Sequence, residues 1–300
     1  MSSDRFFLDV LKKSECEFEE NRDVASFTSS RISSVARAIA YPESEEKLVD
    51  LISRLNDIGA KHIVLGKMSN VLIKNGKYDG VIVKTHKINK YNLAENILTL
   101  SCGASLSGAT QKMVAFDLGG MEGLIGIPGT VGGMVRQNAG AFGYEIADRF
   151  KYAICYLTTT QNTVKLSKDD MQFAYRDSIL AHARATLISA TFELIPKRRD
   201  DVVDEINVYR INRLETQPVT KPSLGCVFKR YNGVSAGYYI DKAGLKGCSV
   251  GGACVSRKHA GFIVNNGGAT ATDYLSLIEY VKERVFHEFN IELEEEIEII

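Results

Sequence analysis

Between residues 126 and 143 the chain concentrates six glycines: Gly126, Gly129, Gly132, Gly133, Gly140 and Gly143. They sit in two runs, Gly126-Ile127-Pro128-Gly129-Thr130-Val131-Gly132-Gly133 and Asn138-Ala139-Gly140-Ala141-Phe142-Gly143. A segment this rich in glycine can turn through φ > 0 and bring backbone N–H groups close to a ligand. Pro128 stiffens it, and Thr130 and Asn138 add side-chain hydrogen-bonding groups. Such a loop suits the diphosphate of a nucleotide cofactor. Glycine content alone would equally make a surface loop of tight turns, so the rest of the chain decides.

Bulk properties narrow the choice. Lys plus Arg is 37 and Asp plus Glu is 37, so there is no electrostatic case for nucleic acid or an anionic membrane. A hydrophobic share of 45% with 25% charged residues fits a globular chain with a real core, and 300 residues suit two or three modest domains. No apolar run reaches the length of a membrane span, and Met1-Ser2-Ser3-Asp4-Arg5-Phe6-Phe7-Leu8 lacks a signal-peptide pattern. Cys16, Cys102, Cys155, Cys226, Cys248 and Cys254 include no C-x-x-C pair. Scattered thiols point to a reducing cytoplasm and against a zinc site.

The coarse pattern is α+β. Residues 36–42 read as a strand ending at Pro42. Leu48, Leu51, Ile52, Leu55 and Ile58 share one helical face, stopped by Gly59. Residues 62–65 form a strand, and 71–74 with 81–84 flank a turn-rich stretch as in a hairpin. Further strands are expected at 97–100, 151–158 and 186–194, with helices at 105–118, 200–216 and 273–289. The alternating residues 291–300 read as a closing strand. Lys197-Arg198-Arg199-Asp200-Asp201 reads as a linker, which places the main boundary near 200. The order is not a regular βαβ array, and no Gly-x-Gly-x-x-Gly opens a helix after a strand, so a doubly wound dinucleotide fold is disfavoured.

The glycine runs, in this order, resemble the flavin-binding segment of the UDP-N-acetylenolpyruvoylglucosamine reductase family. Tyr175-Arg176-Asp177-Ser178 is similar to the family's Tyr-Arg-x-Ser, and Gly225-Cys226-Val227-Phe228-Lys229 to its Gly-Ser-x-Phe-Lys. Gly244 to Gly247, Gly251 to Ala253, His259 to Asn265, Ala269 to Ala271 and Leu293-Glu294-Glu295-Glu296 follow in family order. The likeness runs from about Ser26 onward, and several ordered motifs are far more specific than one loop. It implies a two-part FAD-binding region of mixed sheets, of the vanillyl-alcohol-oxidase-like flavin fold, over residues 1–200. A smaller α+β substrate domain over 201–300 would carry a catalytic closing strand.

The resemblance also implies site residues. Gly66, Lys67, Met68, Ser69 and Asn70 stand where the family has Gly-x-Gly-Ser-Asn. With Gly126, Pro128, Gly129, Thr130, Gly132, Gly133, Asn138, Ala139 and Gly140, they would hold non-covalent FAD, since no histidine sits in the first loop as a tether. Arg213, Lys229 and Arg230 would meet the diphosphate or carboxylate of a UDP-sugar. Arg176 and Glu296 would stabilise an enol-like species, and Cys226, at the family's serine, would donate a proton. Glu294 lies on the same face as Glu296 by alternation, and the motif alignment selects Glu296. His259 is read as structural.

Three departures stand out. Met68 replaces a glycine and should resist φ > 0, which predicts a rearranged loop. Ser33 and Ser34 replace two glycines and Val35 a proline, while Thr28 and Arg31 match. Cys226 exchanges a hydroxyl for a thiol and keeps a donor. The implied reaction is NADPH-dependent and FAD-mediated. It reduces UDP-N-acetylglucosamine enolpyruvate to UDP-N-acetylmuramate for peptidoglycan, in the cytoplasm. Another FAD-linked oxidoreductase on the same flavin domain, or an inactive flavin-binding relative, are the alternatives.

Overall fold

Leu48, Leu51, Ile52 and Leu55 are all buried on one face of the helix Glu45–Asp57. Ser44 caps it by accepting the Lys47 N–H at 3.2 Å, and Gly59 reverses the chain at φ 63. The helix Ala271–Phe289 opens on a reciprocal capping box between Thr270 and Asp273 and buries Tyr274, Leu277, Ile278, Val281 and Val285. Both helices lie where apolar spacing placed them. These features come from a computed structural model, which describes residues 3–300.

The chain divides into two compact units. The first comprises Met1–Glu20, Ala38–Gly66 and Gly80–Arg210. The second comprises Asn21–Arg37, Lys67–Asp79 and Ile211–Ile300. The sequence drew a single cut near 200. The compact units are interleaved instead, and residue 200 lies inside the helix Arg199–Thr216.

The centre of the first unit is a five-stranded sheet in the order Asn162–Ser167, Phe150–Leu157, Ala185–Glu193, Ile97–Ser101 and Tyr91–Ala94. Every neighbouring pair in it is antiparallel. Ala153, Cys155, Ala190, Phe192, Leu98 and Leu100 enter one apolar core. Beside it, His62–Leu65 pairs in parallel with Lys77–Lys84, with Leu65 opposite Lys84.

The second unit holds a four-stranded sheet in the order Ser223–Cys226, Phe262–Asn265, Ala253–Val255 and Ser249–Val250. The apolar face of Ala271–Phe289 shares its core with Leu224, Val255 and Ile263. Val71–Leu72 pairs in parallel with Glu298–Ile299.

Three expectations need correction. Residues 71–74 and 81–84 do not form a hairpin: a short 3-10 turn, Lys74–Gly76, separates them, and each pairs with a partner elsewhere. The expected helix at 105–118 is shorter, Leu106–Ala115, and Leu118–Gly119 pairs with Ile195–Pro196. The closing strand is confined to Glu298–Ile299 with one bridge, Phe228 to Glu295. Its burial still alternates, with Ile291, Leu293 and Ile297 inside.

Candidate active site

In the first unit Gly66 meets the second glycine-rich segment at Thr130. A β-carbon built on Gly66 would lie 2.1 Å from Thr130 Oγ1, so only glycine fits unless Thr130 moves. Thr130 is buried and stands just ahead of the short helix Val131–Arg136. Around it Gly126, Pro128 and Gly133 are exposed and Gly129 is half-buried. Gly126 takes φ 87, in the region side chains resist. Several N–H groups in this segment are committed to the protein. Val131 donates to the Ala104 carbonyl and Gly132 to the Cys102 carbonyl, each at 2.8 Å. A β-carbon on Gly132 would stand 3.2 Å from the Cys102 oxygen, so this glycine serves close packing.

Asn138 also turns inward. Its Nδ2 donates to Glu145 Oε2 at 2.9 Å and to the Ala174 carbonyl at 3.0 Å, and its Oδ1 accepts the Ala147 N–H at 3.0 Å. The sequence reading gave this amide to the cofactor; both of its donors are used to hold the loop together. Ala139 is fixed by its own backbone, donating to Met134 and accepting from Ile146.

Arg176 occupies the tip of a two-residue turn. Ala174 and Asp177 exchange backbone hydrogen bonds of 3.1 and 3.2 Å across it, and Arg176 takes φ 55. A left-handed non-glycine residue costs about 1 kcal/mol or more, a strain often found at working sites. The guanidinium lies on Gly140: Nη2 donates to the Gly140 carbonyl at 2.9 Å, and a β-carbon there would be 3.2 Å from Nη1. Tyr175 sits with its ring centroid 5.3 Å from the guanidinium carbon.

Sequence reasoning missed Lys84. It ends a strand, is 3% exposed, and its Nζ donates to the Gly66 carbonyl. Burial brings its pKa down to about 8. In the sequence it is a lysine closing the apolar run Val81-Ile82-Val83, and its burial depends on pairing with a distant strand.

The second unit brings Cys226 and Glu296 onto neighbouring backbone. Gly225 takes φ 81, and Cys226 pairs with Phe262 at the sheet edge. The chain then runs alongside the acidic segment: Glu296 donates its N–H to Val227 at 2.7 Å, and Lys229 donates to Glu294 at 2.8 Å. Asn70 holds the same segment from the other end. Its Nδ2 donates to the Glu296 carbonyl at 2.9 Å, and its carbonyl accepts the Glu298 N–H at 2.8 Å. Glu294 is ion-paired to Lys229, and Glu295 to Lys282 at 2.8 Å.

Met68 is 3% exposed with φ 51, so it adopts the glycine-like conformation that the sequence reading expected it to resist. Its carbonyl accepts the Ser29 N–H at 3.4 Å. Ser69 and Asn70 are half-buried and Lys67 is exposed. The serines at 33 and 34 have their own support: Ser33 donates to Asp23 at 2.6 Å, which is the largest reason the Asp23 carboxyl titrates below its usual range. Arg213 is half-buried, which lowers its pKa, and Arg230 is exposed. His259 Nδ1 accepts the Gly261 N–H at 3.1 Å, and burial lowers the ring's pKa. It braces its own turn as a neutral imidazole.

These parts define a class first. Residues 36–163 match the FAD binding domain family. The structure of glucooligosaccharide oxidase from Acremonium strictum shares the fold, with a TM-score of 0.51 at 15% identity, covering 96% of this chain and 60% of that one. The chain has an FAD-binding fold of this type. Its residues suit an anionic dinucleotide: Gly66 and Thr130 bring the two glycine segments together, and the buried Lys84 ammonium bonds the Gly66 carbonyl beside them.

The particular family follows from the rest of the chain. Residues 217–300 match the family described as UDP-N-acetylenolpyruvoylglucosamine reductase, C-terminal domain. The reductase of that name from Caldicellulosiruptor saccharolyticus is 41% identical over 292 residues, 97% of this chain and 94% of that protein. The one from Clostridium perfringens is 37% identical, over 90% and 88%. The crystal structure of UDP-N-acetylenolpyruvylglucosamine reductase from Thermus caldophilus matches with a TM-score of 0.79 and 28% identity, covering 95% and 98%. The chain belongs to the UDP-N-acetylenolpyruvoylglucosamine reductase family. Among the described residues no helix is long and apolar enough to cross a membrane.

Proposed function

We propose that this chain reduces UDP-N-acetylglucosamine enolpyruvate to UDP-N-acetylmuramate for peptidoglycan synthesis, with NADPH as reductant and non-covalent FAD. The observation that carries the reading is the 2.7 Å hydrogen bond from Glu296 N–H to Val227, which sets a thiol and a carboxyl group on adjoining backbone. Bound FAD supplies the hydride relay between NADPH and the vinyl carbon. The loops at 66–70 and 126–140 contain no histidine or cysteine to tether it.

Hydride addition to the vinyl CH2 leaves negative charge on the neighbouring carbon, beside the substrate carboxylate. The permanent charge of Arg176 and the carboxyl group of Glu296 stabilise the resulting enol-like species. Cys226 then gives its S–H proton to that carbon, forming the new C–H bond and leaving a thiolate for solvent to reprotonate. A thiol with a reference pKa of about 8.5 is protonated at neutral pH and can act as this acid. Glu296 is preferred to Glu294 because the alignment on Leu293-Glu294-Glu295-Glu296 selects it. Arg213, Lys229 and Arg230 bind the diphosphate or the carboxylate of the UDP-sugar, Lys229 exchanging Glu294 for it. Along the sequence the flavin-binding motifs fall within residues 1–200 and the substrate-binding motifs within 201–300, although the compact units themselves are interleaved. All six cysteines are free thiols, which supports a cytoplasmic setting.

The test is anaerobic. NADPH should bleach the yellow protein, and the enolpyruvyl sugar should restore the colour and yield one UDP-N-acetylmuramate per flavin. Bleaching reversed by oxygen but not by the sugar would assign the chain to another FAD-linked oxidoreductase. No bleaching would make it an inactive flavin binder.

A further inference from the structure

Two charged side chains are buried among the described residues, Lys84 and Glu122. Glu122 lies 3.2 Å from Lys197 and accepts the Gly120 N–H, so its place in a structural network is plain. Lys84 is placed differently. Parallel pairing sets it opposite Leu65, at the point where the strand gives way to the first glycine loop. Its ammonium donates to the Gly66 carbonyl, while the other face of Gly66 lies against Thr130. The loop's first residue is therefore clamped between a buried cation and the second glycine segment.

That clamp has a directional consequence. In a trans peptide the C=O and the following N–H point in opposite directions. Holding the Gly66 carbonyl toward Lys84 turns the Lys67 N–H toward the loop's other side. The ammonium also leaves a positive charge close behind the loop, where burial weakens screening. Burial alone accounts for the depression of the lysine's pKa to about 8, so the site keeps this charge at a cost in solvation.

We propose that Lys84 is a positioning residue for the flavin diphosphate, orienting the Gly66–Lys67 peptide and supplying a buried positive charge behind the loop. The proposal rests on the reading that this loop holds FAD. It concerns the diphosphate and not the isoalloxazine ring, and this separates it from a purely structural role.

The experiment uses full-length protein stripped of flavin and titrated separately with FAD and with riboflavin, which lacks phosphate. Lys84→Met fills the same space without charge. It should weaken FAD binding by about tenfold or more, the scale of a charge-assisted contact, and leave riboflavin binding nearly unchanged. Lys84→Arg keeps the charge and should recover part of the loss. The flavin-free Lys84→Met protein should melt no lower than the parent, because an apolar group replaces a buried charge. Parental FAD affinity in Lys84→Met overturns the proposal. So does an equal loss of FAD and riboflavin with a lower melting temperature, which would make the lysine structural. Failure of the parent itself to bind FAD overturns the flavin reading and the proposal together.

Discussion

The Gly66–Thr130 contact of the first unit and the pairing of segments 226–229 and 294–296 in the second hold their candidate groups by different means. The first depends on missing atoms. A β-carbon on Gly66 would lie 2.1 Å from Thr130, whereas Gly132 and Gly140 have milder close approaches, 3.2 Å to the Cys102 carbonyl and 3.0 Å to Glu145 and the Tyr144 carbonyl. The second depends on a backbone ladder, Glu296 to Val227 and Lys229 to Glu294, which leaves side-chain identity open. The departures from the family pattern follow this division. Met68, Ser33, Ser34 and Cys226 all belong to the second unit. There Met68 accepts a left-handed backbone and Ser33 finds Asp23. Of these departures only Cys226 adjoins the ladder, whose backbone bonds do not depend on which side chain it displays.

The comparison can be broken first at Cys226. Cys226→Ala should lower turnover by about two to four powers of ten, the scale of a general acid, while Cys226→Ser should retain substantial turnover. Normal turnover in the alanine variant would make the cysteine a packing residue. At the other region Gly66→Ala forces a methyl group onto Thr130. Overpacking of about 1–3 kcal/mol should weaken FAD by roughly tenfold to a hundredfold, read by flavin fluorescence titration. An unchanged affinity would mean that Thr130 rotates away freely. The smallest effect is expected at Met68→Gly. Relief of about 1 kcal/mol of backbone strain opposes the loss of a buried side chain worth about 2 kcal/mol. FAD affinity should stay within about threefold of the parent; a large loss would make methionine itself a cofactor contact.

Residues 45–57 and 271–289 were readable as helices because each has an apolar stripe of its own and a capping residue. The hairpin expected across 71–84 failed for the opposite reason. Val71–Leu72 pairs with Glu298–Ile299, and Lys77–Lys84 with His62–Leu65, and no local pattern encodes partners so far away. The site divides in the same way. Motif order pointed to Arg176, Cys226 and Glu296, and the structure puts the last two on paired segments. The inward turn of the Asn138 amide and the burial of Lys84 were not legible because both are set by tertiary partners: Glu145 and Ala174 for the amide, the Gly66 carbonyl for the ammonium. The left-handed backbone at Met68 was equally invisible, since residue type argued against it.

In the proposed reaction Cys226 and Glu296, on the paired segments 226–229 and 294–296, serve reduction of the enolpyruvyl group and not flavin loading or flavin reduction. Anaerobic rapid mixing of Glu296→Gln separates these steps. The account predicts that NADPH bleaches the bound flavin within about threefold of the parental rate, while reoxidation by the enolpyruvyl sugar slows by about a hundredfold or more. Equal slowing of both half-reactions, or loss of flavin from the purified variant, would contradict it.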